Sequence, residues 1–202
     1  MRYLLVGLLF LAGCSPSVAP SQSPPVGSSS APSVAGSASP SPTCSPIGGM
    51  AAPCSPDEYA KVEAQNKLVN EAIAVYRRWN KESNRLYRAG GTLKVTPEME
   101  ATTTDQAQKS ALALFRDLRA GGVRAVSGSA KLVSIGPRDA EVKAGEVALK
   151  TCVDGTSFRF AASGKTISRG VVATEQLLLK PVDGQLKLSW VRAVKAEKCT
   201  VE

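Results

Sequence analysis

Between Arg2 and Asp57 the chain carries no charged residue. Residues 15–56 also hold 10 of the 13 prolines together with 13 serines. Such a segment buries too little apolar surface to offset the entropy of ordering it. The foldable part of the 202-residue chain is therefore 57–202, one domain with room for a sizeable core. All 17 acidic residues and all but one of the 25 basic residues fall there. The chain has no histidine, which removes Ser-His-Asp and Cys-His catalysis, the usual zinc sites and the usual pH switch.

The N-terminus reads as an address. Met1-Arg2-Tyr3 is a short positive start, and the apolar run Leu4–Ala12 follows it. That run is too short to span a bilayer, for which about 20 apolar residues are needed, and it fits the h-region of a secretory signal. Its end, Leu11-Ala12-Gly13-Cys14, resembles the lipobox of bacterial lipoproteins. The resemblance implies cleavage before Cys14, diacylglycerol on its sulfur and acylation of the new N-terminus. The alternative is an ordinary secreted protein in which Cys14 is incidental. Two or three acyl chains hold a protein firmly, whereas one binds reversibly. The expected organisation is a signal peptide over 1–13, a tether over 14–56 and a domain over 57–202. The expected location is the outer face of the cell membrane, with the membrane itself as first partner. Loss of Arg2 leaves 24 basic and 17 acidic residues, a net +7. That charge suits anionic lipid, wall polymer or an acidic envelope protein. Nucleic acid would fit the sign but not the compartment, so no nucleic-acid partner is expected.

Export also favours disulfides. With Cys14 acylated, Cys44, Cys54, Cys152 and Cys199 remain, with three possible connectivities. Locality favours Cys44–Cys54, which would stiffen the base of the tether, and Cys152–Cys199, which would staple two late strands. A four-cysteine metal site is the rival, but the tight C-x-x-C spacing is missing. Neither a metal nor a cofactor is expected.

Helices come first. Ser55-Pro56-Asp57-Glu58 combines a cap, a proline at the first helical position and a capping-box glutamate. The helix runs to Arg88 and stops at Gly90-Gly91. Leu68, Val69, Ala72, Val75, Tyr76, Trp79, Leu86 and Tyr87 share one arc of it. Arg77, Arg78, Lys81, Arg85 and Arg88 share the opposite arc. Thr96-Pro97-Glu98 starts a short second helix. Thr103 or Thr104 caps a third, which ends at Gly121-Gly122. Arg-Ala-Gly-Gly at 88–91 and 119–122 follows helices rather than preceding them, so both copies are stop signals and not phosphate loops.

From Val123 the period shifts towards two. Strands are predicted over Ala130–Ile135, over Ala140–Val153 with a bulge near Gly145, and briefly at Phe158-Arg159-Phe160. Gly170–Lys180 and Gln185–Glu197 form a hairpin, with Leu186, Leu188, Trp190 and Val194 on one face of its second strand. Helices followed by antiparallel strands predict an α+β domain, with three N-terminal helices packed on one curved sheet.

That order, with Tyr76 and Trp79 on the long helix and a tryptophan in the last strand, resembles the nuclear transport factor 2-like cone. Val147-Ala148-Leu149-Lys150-Thr151-Cys152-Val153-Asp154 and Trp190-Val191 are similar to a group of uncharacterised actinobacterial lipoproteins of that fold. The resemblance implies a cavity between the first helix and the sheet. Its candidate walls are Tyr76, Trp79, Tyr87, Phe115, Phe158, Phe160 and Trp190, though aromatics at such spacing also serve as plain core. The cone family includes SnoaL-like cyclases and isomerases beside many binding modules, so the fold does not give function. Its enzymes use an Asp or His base with a Tyr or a second acid. Here histidine is missing and no acids are paired, so no catalytic residue is assigned. Asp154 reads as a turn residue. Glu175, inside an apolar strand, and Arg192, beside Trp190, could each face the cavity, but on a one-sided sheet a polar residue is more often the outward one. Arg77, Arg78, Lys81, Arg85 and Arg88 are candidate anion-binding residues, against the plainer reading of a solvated helix face. The expected function is non-enzymatic binding of a ligand or protein, and the alternative is a SnoaL-like enzyme acting on a small molecule.

Overall fold

The structure is a computed structural model and describes residues 41–199. The signal segment, Cys14 and the tether up to residue 40 lie outside the described residues.

Strands β1 (Thr43–Cys44) and β2 (Ala52–Pro53) pair antiparallel before the first helix. The Cys44–Cys54 disulfide closes this small loop. Asn66, on the helix that follows, accepts from the Ile47 N–H and donates to the Ser45 carbonyl, each at 2.9 Å. The last part of the segment expected as tether is therefore folded onto the domain.

Helix α1 (Pro56–Ala89) begins in a complete capping box, in which Ser55 Oγ accepts from the Glu58 N–H and the Glu58 carboxylate accepts from the Ser55 N–H. It ends at Gly90 in the left-handed conformation. Its 34 residues make a rod about 50 Å long. Val69, Ala72, Val75, Tyr76 and Leu86 are buried along one stripe. Helix α2 (Pro97–Thr102) is a six-residue piece capped by Thr96, and α3 (Asp105–Ala120) follows with Ala107 and Phe115 buried. Gly91 lets the end of α1 touch α3: a Cβ there would stand 1.9 Å from the Phe115 carbonyl oxygen. That carbonyl accepts from the Thr92 N–H.

The remaining strands are β3 (Val123–Ser127), β4 (Lys131–Pro137), β5 (Val147–Asp154), β6 (Arg159–Ala162), β7 (Lys165–Arg169), β8 (Val172–Val182) and β9 (Gln185–Ala196). They form two separate antiparallel sheets, β4-β5-β8-β9 and β3-β6-β7. This corrects the expectation of three helices on one curved sheet and a cone. Only one long helix precedes the sheets, and the strands divide among three sheets, counting β1-β2. The division has a local cause. The chain leaves β5 at Gly155 and returns to β8 at Gly170, and a Cβ on Gly170 would stand 2.1 Å from the Gly155 oxygen. That backbone pinch cuts β6 and β7 off from the larger sheet. Residues 140–146, expected as the first part of a long strand, form a loop, and the strand starts at Val147.

On the inner face of the larger sheet, Val147, Leu149, Thr151 and Val153 of β5 lie opposite Leu179, Leu177, Glu175 and Ala173 of β8. Most of these join α1 and α3 in the main apolar core. In β9 the register slips after Leu188, where the extra residue Ser189 bonds to the Leu178 carbonyl. Leu186 and Leu188 precede the bulge and face the core, and Val191 replaces Trp190 on that face beyond it. From the opposite face, Cys152 of β5 is joined to Cys199, beyond the end of β9, so this disulfide spans β8.

Candidate functional site

A cavity of about 590 Å³ lies between α1, α3 and the two sheets. Helix α1 contributes Tyr76, Trp79, Asn80, Ser83 and Tyr87, and α3 contributes Gln106, Ala107, Ser110, Ala111 and Phe115. The larger sheet adds Val153, Ala173, Glu175, Leu188, Val191 and Ala193, and the smaller sheet with its flanks adds Phe158, Phe160 and Arg169. Its volume and largely apolar walls are those of a small-molecule site.

Six of the seven aromatic residues singled out from the sequence line this space. Five of them form one edge-on cluster. Tyr87 is at its centre, with ring centroids 5.2 Å from Phe115, 5.4 Å from Phe158 and 5.7 Å from Phe160, while Trp79 packs on Phe115 at 6.4 Å. Trp190 is the exception. The bulge at Ser189 reverses the alternation, so Trp190 leaves the cavity face while Val191 and Ala193 enter it. Val194, expected inward, is half exposed for the same reason.

For Glu175 the structure selects the less favoured of the two faces open to it in the sequence. It lies on the inner face of β8 and accepts a hydrogen bond from the Tyr76 hydroxyl at 2.5 Å. Its side-chain parity with Ala173, Leu177 and Leu179 was the available signal. Burial pushes the Glu175 carboxyl above its ordinary range, and the Tyr76 hydrogen bond opposes this only in part. Burial and then the nearby Glu175 raise the Tyr76 phenol well above its ordinary value, and the same two causes raise Tyr87. Thr151, cross-strand partner of Glu175, is buried and approaches the Tyr76 phenol, yet its hydroxyl finds no partner at hydrogen-bond geometry. A polar cluster of buried Tyr76 and Thr151 with half-buried Glu175, one hydroxyl left unpaired, thus sits at the wall of an apolar chamber. Arg192 is exposed and does not line the cavity. Asp154 accepts from both the backbone and the hydroxyl of Thr156, which is turn chemistry.

The basic face of α1 borders a second, open groove lined by Arg77, Arg78, Lys81, Arg85 and Arg88. Three of these are engaged: Arg78 with Glu98, Arg85 with Glu82, and Arg88 with the Gly128 carbonyl. Glu82, missed in the sequence, is the buried hub. It accepts two hydrogen bonds of 2.7 Å from Arg85 and one of 2.6 Å from the Thr96 hydroxyl. The Arg85 bonds hold its carboxyl below the ordinary range, against the effect of burial.

No family model and no curated protein matches the chain. Among solved structures, the intermembrane space region of the chloroplast protein ARC6 matches with a TM-score of 0.46 and 8% identity, over 63% of this chain and 97% of that one. A likeness at that level supports no statement about fold or activity.

Proposed function

We propose that this chain is an exported lipoprotein, held at the outer face of the cell membrane by acylated Cys14, whose domain binds a small molecule without transforming it. The single observation that carries the binding reading is the aromatic-lined cavity of about 590 Å³. The disulfides Cys44–Cys54 and Cys152–Cys199 support an oxidising compartment, and Leu11-Ala12-Gly13-Cys14 supports the anchor. Among the described residues no helix is long and apolar enough to cross a membrane.

One observation favours a second reading, a proton-transfer enzyme: the Tyr76–Glu175 pair stands at the cavity wall with the carboxyl shifted towards neutrality. Against it, Glu175 is the one carboxylate among the described residues lining the cavity, so no second carboxylate could share the proton transfer.

Native mass spectrometry of the chain extracted from its own envelope tests binding. A small molecule should co-purify with wild type and be lost from an Ala111→Phe variant, whose new ring would occupy the cavity. Mass equal to the bare polypeptide in both would refute the reading. Cys14→Ser should abolish fatty-acid labelling, and label that persists in this variant would exclude the anchor.

A further inference from the structure

Glu175 is a carboxyl short of a positive charge. Helix α1 presents Tyr76 and Tyr87, β5 presents the uncharged Thr151, and β9 presents Ala193 as the cross-strand neighbour. From β7, Arg169 also lines the cavity, but it is exposed and forms no ion pair with Glu175. The acid therefore keeps one hydrogen bond, from Tyr76, and meets no cation among the described residues. A carboxyl partly withdrawn from water, as half-buried Glu175 is, is best completed by a proton or by a cation brought from outside.

The walls discriminate between these. Six aromatic residues line the same chamber, and a cation over a ring face is attracted to it, the more so when desolvated. A neutral apolar guest would use the walls and leave the acid without a partner. Resting on the binding reading above, we propose that the cavity takes an organic cation, an ammonium group borne on an apolar body, with its positive head between Glu175 and the rings and its body along Ala107, Ala111 and Val153.

The proposal has a proton linkage. Burial already biases Glu175 towards its protonated form, so a cation that binds must displace that proton. Affinity for the cation should rise with pH through the raised carboxyl range and level off above it. Tyr76 and Tyr87, both raised, stay protonated throughout and add nothing to this profile.

The test uses the full oxidised chain and two probes of matched shape, phenyltrimethylammonium and the neutral tert-butylbenzene. Binding is followed through the emission of Trp79, with Trp190 as a background outside the cavity. At pH 8 the cation should bind about tenfold or more tighter than its neutral counterpart. Glu175→Gln should abolish most of that preference and the pH profile while leaving the neutral probe unchanged, and Glu175→Asp should restore part of the preference. Equal binding of the two probes, or an unchanged preference in Glu175→Gln, would overturn the cation inference and leave the cavity reading intact. Binding of neither probe, with no co-purifying molecule, would overturn both.

Discussion

Two carboxyls have opposite surroundings: Glu82, on α1 itself, is buried, and Glu175, on β8, is half-buried. Glu82, on the groove side, is saturated by Arg85 and Thr96 and held below its ordinary pKa. Glu175, on the cavity side, has a single phenol and is pushed above it. Glu82 is the more deeply buried of the two, so burial alone does not mark a site. The difference is the completeness of the partners: Glu82 joins α1 to the N-cap of α2 and has little left to offer. Glu175 has no cation among the described residues, stands beside an unsatisfied Thr151 hydroxyl and faces space. The first acid is architecture, and the second is poised for a guest.

The largest expected effect comes from breaking the saturated acid. Glu82→Ala deprives the Thr96 hydroxyl and the Arg85 guanidinium of their acceptor and should lower stability by about 2 kcal/mol; because Arg85 is largely exposed, this stays below the loss typical of a fully buried pair. Urea unfolding should show a lower midpoint with an unchanged slope. A loss below about 0.5 kcal/mol, the range of an ordinary surface change, would mean the hub holds nothing.

The two acids should also give opposite pH slopes. The folded pKa of Glu82 lies below its unfolded value, so its contribution is present above the ordinary carboxyl range and is lost as pH falls through the folded value. For Glu175 the folded pKa is raised, so the native state is favoured below the unfolded value and penalised as pH rises through the folded one. Glu82→Gln should therefore destabilise more at pH 8 than at pH 4. Glu175→Gln should stabilise the empty protein at pH 8, by on the order of 1 kcal/mol, and hardly change it at pH 4. Unfolding curves at the two pH values decide this, and slopes of the same sign would erase the contrast.

The sequence made α1 legible to within a residue or two because its signals are local: the capping box, the apolar stripe and the glycine stop. The six cavity aromatics were candidates only through the cavity that the family resemblance implied, since spacing alone reads them equally as core. What failed depended on pairing. A single extra residue at Ser189 turned Trp190 away from the cavity, and nothing in Leu186–Val194 marks it. The sheet divides where Gly155 and Gly170 meet, a contact between positions that only the fold brings together. For Glu175 the outward face weighed more because strand polarity was judged by residue type. Its neighbours Ala173, Leu177 and Leu179 share its face, and that parity outweighs the carboxylate.

The smallest effect is expected on the basic face, and it sharpens what the groove is for. Arg78, Arg85 and Arg88 are engaged, whereas Arg77 and Lys81 have no partner among the described residues. Reversing the free pair to Glu should change stability by less than about 0.5 kcal/mol, because both side chains are exposed and away from the core. Any anion surface should act through the same two residues, each worth on the order of 1 kcal/mol near anionic lipid and weakened by salt. A fragment covering residues 41–202, free of acyl chains and signal, should sediment with phosphatidylglycerol vesicles at low salt, and the Arg77→Glu, Lys81→Glu variant should stay in solution. Equal sedimentation of the two, or none by either, would make the face a solvated helix surface and leave the cavity as the functional side of α1.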